Sequence, residues 1–358
     1  MRRCVLSAVL LATLGPVAAR AEVPGAAGGS DAADATGPAD PTETTQATGA
    51  TSAPHRHALH APIGIGAGHT LARGGFAIGY AFDREHYRGL RDDTHSQGAQ
   101  QVRVQDGFTS APDRFDVERH ELALMWAPTA RVTTMLRVPY LRKEMRNIGP
   151  AGPFTTHADG IGDIGLSAIA RFMKKGDERS YLSVELGVPT GSIRRGGATG
   201  GGFGRLPYPM QLGSGTWSLK PALTYEGPAA VGTFGARLSA RFHFGRNALG
   251  YRPRARYRVS AWYARRWVAG VSTSLRLQWQ KWGNLDGADP GLVPTSSPSA
   301  DSRRQKGQRL DLGAGLDVHL PFANQALAFE GLVPLVQELD GPQVDFEWKL
   351  RAGWRWAF

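Results

Sequence analysis

The last sixteen residues, QVDFEWKLRAGWRWAF, sort into two faces when every second position is taken. Phe346, Trp348, Leu350, Ala352, Trp354, Trp356 and Phe358 fall on one side, and Asp345, Glu347, Lys349, Arg351, Gly353 and Arg355 on the other. A period of two belongs to a β-strand. The charged face cannot enter a dry core without a heavy desolvation cost, so it must meet water. Two architectures satisfy that condition: a soluble sandwich with one wet face, or a membrane barrel with lipid outside and water in the lumen. Aromatics at both ends of the stretch, where interfacial girdles lie, favour the barrel. The terminal Phe358 then serves as the expected signal to the barrel-assembly machinery.

The other end of the chain points the same way. Arg2 and Arg3 precede an apolar run over residues 5–14, and Ala19, Arg20 and Ala21 form a small-residue cleavage site. This is the pattern of a secretory signal, with cutting expected after Ala21. No later segment reaches the length of apolar sequence that a membrane-spanning helix needs. Cys4 lies in the leader, so the mature chain is expected to hold no cysteine, which removes disulfides, thiolate catalysis and cysteine metal sites. The formal charge is +11, of which Arg2, Arg3 and Arg20 leave with the leader, giving +8. A basic balance suits nucleic acid, an anionic membrane or an anionic solute. The export signal and the lack of any nucleic-acid-binding motif argue against the first.

Residues 22–54 are Ala, Gly, Thr, Pro and Asp without an aromatic, too polar to offset the entropy of ordering, and are expected as a disordered periplasmic linker. His55, His57, His60 and His69 follow. Imidazoles at this density suit weak binding of a divalent metal; otherwise they are a polar lead-in, whose Gly64, Gly66 and Gly68 would let the backbone enter the barrel mouth. No other cofactor is expected. The domains are then a signal (1–21), a linker with the His lead-in (22–71) and a barrel (72–358).

Alternating segments are predicted over residues 74–85, 114–127, 130–144, 160–173, 179–189, 216–226, 231–245, 254–267, 270–282, 308–320, 325–333 and 343–358. Their connections alternate long and short. The fold class is all-β: a transmembrane antiparallel β-barrel of about 12 strands with both termini periplasmic.

The segments HAPIGIGAGHT, RGLRDDT, LRVPYLRKEM, GIGDIGLSAIARF, LGVPTGS and LPYPMQLGSGTWSLKPALTYEG, in order over residues 60–358, resemble the outer-membrane transporter family named after the MetA pathway of phenol degradation. LPYPMQLGSGTW is the most specific of them. The resemblance implies an outer-membrane barrel that moves small solutes, aromatic acids among them. Members often carry Met beside the N-terminal His residues and this chain has none there, which weakens the metal reading.

Parity assigns lumen side chains. Arg237, Arg241, His243, Arg254, Arg256, Arg258, Arg266 and Arg276 are expected as a basic wall on neighbouring strands. Facing it, Asp311, Asp317, Glu330, Asp345 and Glu347 are expected as an acidic wall, beside Lys349, Arg351 and Arg355 as constriction or pairing residues. Such a field would select a small anionic or aromatic solute. Asp163 of GIGDIG is expected either to pair with a wall arginine or to cap local amides. The alternative is a structural or partner-binding barrel whose charges pair across a filled lumen, acting through loops at 85–113, 190–213 and 283–307. A hydrolase is disfavoured because no His-x-Ser occurs on a strand. GGATGGGFG lacks the lysine ending of a phosphate loop and is expected as a flexible loop. Outer-membrane lipid is an expected partner and nucleic acid is not; the oligomeric state is open.

Overall fold

The computed structural model describes residues 61–65, 70–320 and 323–358, so the expected leader, the expected linker over residues 22–54 and His55, His57, His60 and His69 lie outside the described residues. A 3-10 turn at Ile63–Ile65 precedes β1 (Phe76–Asp93), the short β2 (His95–Gln97), α1 (Ala99–Gln105), β3 (Ala111–Thr129), β4 (Val132–Gly149) and β5 (Gly152–Ile161). Then come β6 (Ile164–Lys175), β7 (Glu178–Val188), a hairpin of β8 (Gly196–Thr199) and β9 (Gly202–Arg205), β10 (Trp217–Ala229) and β11 (Gly232–Phe244). The chain ends with β12 (Arg252–Pro253), β13 (Arg256–Val268), β14 (Val271–Trp282), β15 (Leu285–Asp286), β16 (Gly307–Leu320) and β17 (Gln325–Ala357).

Eleven elements close an antiparallel ring in the order β1, β3, β4, β6, β7, β10, β11, β13, β14, β16, β17, with β17 returning to β1; β2 and β5 pair outside it. Closure leaves the ring itself without an edge strand. The 33-residue β17 meets β16 through its first half and β1 through its second. Its two halves also meet, since Gln337 Nε2 donates to Phe346 O at 2.8 Å, and its end returns to the turn before it, where the Ala357 amide donates to Asn324 O at 3.1 Å.

One face of the ring explains why it can exist only in a membrane. Leu122, Leu124 and Trp126 on β3, Leu223 on β10, Leu238 on β11 and Leu275 on β14 are each between 44% and 58% exposed. Alternate positions beside them are small, polar or charged, as with Glu121 and Ala123 on β3, Thr224 on β10, Arg237 on β11 and Arg276 on β14. Such a continuous apolar exterior would aggregate in water and is what lipid contact requires. No described helix is long and apolar enough to cross a bilayer. At the chain end, Phe358 and Phe76 exchange backbone hydrogen bonds at 2.9 and 3.0 Å, and their rings stack at 6.2 Å, placing the C-terminal aromatic on the closing seam.

Several expectations need correction. The stretch expected as a loop at 85–113 is mostly ordered: β1 and β3 run 18 and 19 residues, longer than the ~9–11 a bilayer needs, and α1 lies between them. Leu90, Ala99, Val102, Phe108 and Ala111 form a small apolar core there, which is why the extension stays folded. GGATGGGFG, expected as a flexible loop, is the β8–β9 hairpin with Thr199 opposite Gly202. A register shift between His86 and Tyr87 opposite Trp348 and Phe346 turns Phe346 inward, where it is 2% exposed, instead of joining the aromatic outer face.

Candidate functional site

Inside the ring, acids and bases interleave. Lys349 lies 3.6 Å from Asp83 and 2.9 Å from Glu85; Arg351 lies 3.3 Å from Asp83 and 3.8 Å from Glu121. Arg137 joins Glu121 at 4.0 Å and contacts Glu185, which also takes Lys220 at 3.0 Å and Arg241 at 2.6 Å. The chain of pairs thus runs from β17 through β1, β3, β4, β7 and β10 to β11. Each strand contributes because alternation leaves one inward side chain at that height. Arg237 extends the belt by donating to Thr224 Oγ1 at 3.0 Å and Ser183 Oγ at 3.1 Å.

The remaining arc is built differently. Arg276 and Glu330, each 3% exposed, form a two-pronged pair with both bonds at 2.7 Å, and Arg276 also donates to Gln278 Oε1 at 2.6 Å. Fully buried Asp311 takes Arg309 at 2.6 Å. Arg309 in turn sits 3.5 Å over the Phe346 ring. Asp345 accepts Arg91 at 2.8 Å and Gln337 at 2.7 Å. Asp317 and Arg355 are electrostatic neighbours. Arg256 and Arg258 differ from all of these: among the described residues no carboxylate lies within ion-pair distance of either. Arg256 lies over the Trp282 ring at 5.3 Å, and Arg258 reaches Gln280 at 3.4 Å.

Two pieces of chain enter the lumen. From the loop between β9 and β10, Leu206, Met210 and Leu212 pack on the inward Phe115, Leu141 and Met145. Lys143 Nζ anchors this loop by donating to the carbonyls of Pro209 at 2.7 Å and Gln211 at 2.5 Å. Asp163 is the second anchor. It accepts the Gly191 amide at 3.0 Å, the Ser214 amide at 2.8 Å and the Ser214 hydroxyl at 2.7 Å, so of its two expected roles it caps amides, although those of a distant loop. The other intruder is the Ile63–Ile65 turn. A Cβ on Gly64 would stand 2.0 Å from Glu330 Oε2 and 2.3 Å from Arg276 Nη2, while one on Gly353 would stand 2.2 Å from Ile63 Cδ1. The turn therefore lies on the buried ion pair, and only glycine fits at both contacts. Leu71, further along, donates its amide to Thr133 Oγ1 at 2.9 Å.

The expected two-walled field is thus not the arrangement found, because the acids Asp83, Glu85, Glu121 and Glu185 stand among the bases. Arg254 precedes β13 in an exposed connection and leaves the basic set; Arg266 is exposed near the β13–β14 turn. Glu347 is exposed on the outward side, 3.5 Å from His86, whose ring stacks on Trp348 at 5.3 Å. His243 meets the Thr216 hydroxyl at 3.0 Å.

No family model and no curated protein matches the sequence. Solved structures do. The COG4313 outer membrane channel from Pseudomonas putida F1 shares 14% identity over 81% of this chain and 97% of that one, with a TM-score of 0.59. The fold is that of an outer-membrane barrel. The β domain of the Bordetella autotransporter BrkA aligns over 80% of this chain and 100% of its own, at 14% identity and a TM-score of 0.44. The transport unit of AIDA-I from Escherichia coli covers 79% and 90%, at 8% identity and 0.46.

Proposed function

We propose that this barrel is a channel for small polar or aromatic anions, closed at rest by its own loop and N-terminal turn. The observation that carries the reading is the pair Arg256 and Arg258, two inward guanidiniums without a carboxylate partner among the described residues. Along the belt from Lys349 to Arg241, by contrast, acids and bases are paired and contribute little net field. Arg256 stacked on Trp282 offers a fork for a carboxylate and a ring face for an aromatic body. The likeness to the phenol-pathway transporter family agrees with that chemistry, and the P. putida neighbour is itself described as a channel. We also read β17 as two passages: at about 3.3 Å per residue its 33 residues would extend over ~110 Å, several bilayer thicknesses. The ring then has twelve passages and both chain ends lie on the short-turn side.

The test is single-channel recording of the purified protein in planar bilayers, with the reversal potential measured under a salt gradient. Anion preference that falls in the Arg256→Ala, Arg258→Ala double variant supports the reading. Cation preference overturns the selectivity. A second reading, a structural barrel, is favoured by the interleaved pairs and the packed loop; absence of conductance and of solute uptake in liposomes selects it.

A further inference from the structure

The β11–β13 seam stops short of the ends of its strands. Backbone pairing runs from Thr233 opposite Ala264 to Arg241 opposite Arg256, and there it ends. Phe242, His243 and Phe244 continue to pair with β10 but have no partner on the other side. Beyond this point the two strands part around a cavity of about 570 Å³. The β12–β15 ladder closes its far side, with Arg252 opposite Asp286 and Pro253 opposite Leu285.

The chemistry of this notch is lopsided. Arg252, Arg254, Lys281 and Lys306 line it against the single carboxylate of Asp286. That carboxylate already accepts Arg252 at 2.9 Å and Arg246 at 3.0 Å, and Lys306 pairs with Asp340 at 2.9 Å. Arg254 and Lys281 are left without an acidic partner among the described residues, and both are exposed. Phe242, Tyr257 and Lys281 sit at outward positions of their strands, with Phe242 and Tyr257 edge-to-face at 6.2 Å and Tyr257 opposite Lys281 in the ladder. The notch therefore lies across the wall, with Phe242, Tyr257 and Lys281 on its lipid side and His243 and Trp282 on its lumen side. Two free cations beside an aromatic frame, at the interfacial height of a barrel, match an anionic group carried on an acyl chain. A soluble anion has no use for the outward apolar rim.

We infer that this notch binds the headgroup phosphate of a lipid in the leaflet that faces the long loops. Arg254 supplies a two-pronged donor to phosphate oxygens and Lys281 a point charge. Phe242 and Tyr257 hold the headgroup's apolar underside. In an outer membrane the lipid on the exterior side is a phosphorylated, multiply acylated glycolipid, and its phosphates are the dense anions this cluster would meet. The inference rests on the reading that the loop joining β15 to β16 faces outward.

Native mass spectrometry of the detergent-purified full chain with added lipid A reads the outcome directly. Wild type should keep one lipid A, and Arg254→Ala with Lys281→Ala should weaken it about 30-fold. A control pair at the other end of the barrel, Lys174→Ala with Lys175→Ala, should leave it unchanged. Dephosphorylated lipid A should bind wild type no better than it binds the variant. Equal retention of lipid A by wild type and double variant overturns the inference, as does wild type binding the dephosphorylated lipid as tightly as lipid A itself. Displacement by millimolar inorganic phosphate also overturns it, in favour of a soluble-anion site. Heat-modifiable migration verifies folding of each variant, and Lys281→Ala alone serves if the double variant does not fold. Surface labelling of Val293→Cys on intact cells tests the orientation separately, so a failed orientation and a failed lipid site remain distinguishable.

Discussion

Removing one partner of the Arg276–Glu330 pair should destabilise the barrel far more than removing both. Each residue is 3% exposed, and two bonds of 2.7 Å join them. With charge centres ~4 Å apart and an effective dielectric near 20, their attraction is about 4 kcal/mol. Glu330→Leu takes this away and leaves a guanidinium with only Gln278 in a site shut off by the N-terminal turn. The expected cost is about 3–5 kcal/mol. Arg276→Met combined with Glu330→Leu removes both desolvation penalties, so it should fall within about 1 kcal/mol of wild type or above it. Urea unfolding of the barrel in detergent, followed by tryptophan fluorescence and by band shift without boiling, gives the three stabilities. A single variant that costs less than about 1 kcal/mol refutes the argument, because it would mean that water reaches the pair and screens it.

Other perturbations test the two pieces of chain that enter the lumen. Gly64→Val cannot sit 2.0 Å from Glu330 and should expel the Ile63–Ile65 turn, raising single-channel conductance; unchanged conductance would show that this turn does not obstruct the path. Met210→Ala, at a fully buried site, should cost about 2–4 kcal/mol locally and expose the loop between β9 and β10 to protease, an effect read by limited proteolysis of the folded barrel. Asp286, held below the usual aspartate range by its bonds to Arg246 and Arg252, stabilises the β12–β15 clip above the unfolded aspartate pKa of about 3.9. That support is lost as pH falls through the lower, folded value. The protection factors of amides in the Leu285 region, exchange rates corrected for the intrinsic pH dependence of the amide, should therefore fall at acid pH in wild type and be low already at neutral pH in Asp286→Asn.

Where strand pattern alone decides position, the sequence could be read directly. Thr134, Leu136, Val138 and Tyr140 alternate with Met135, Arg137 and Leu141, and one parity meets lipid while the other meets the belt. Glu185 was equally legible, since Leu182, Val184 and Leu186 on either side of it face out. It stands outside the expected acidic set because that set is confined to the last strands. Phe346 and Glu347 were not legible: a one-residue register shift at Tyr87 exchanges the faces, and nothing in the local pattern announces it. The inward course of Leu206, Met210 and Leu212 was hidden for another reason. Their partners Phe115, Leu141 and Met145 are far away in sequence, and a loop carries no periodicity to declare which side it will pack on.

Interleaving changes how selectivity must arise. Opposed walls would act on a passing ion through a field that spans the lumen. Matched pairs such as Glu185 with Arg241 cancel within a few ångströms, and water in the lumen screens what remains beyond ~8–10 Å. Discrimination then falls to single groups met at contact distance. Arg256 and Arg258 have indole and carboxamide neighbours in place of carboxylates. An anion reaching them replaces weak neutral contacts with charge-assisted bonds, whereas an anion at Arg276 would have to displace Glu330 from two good ones. The same cation is thus a binding site on one strand and a structural tie on the next, according to whether the neighbouring strand supplies an acid at that height.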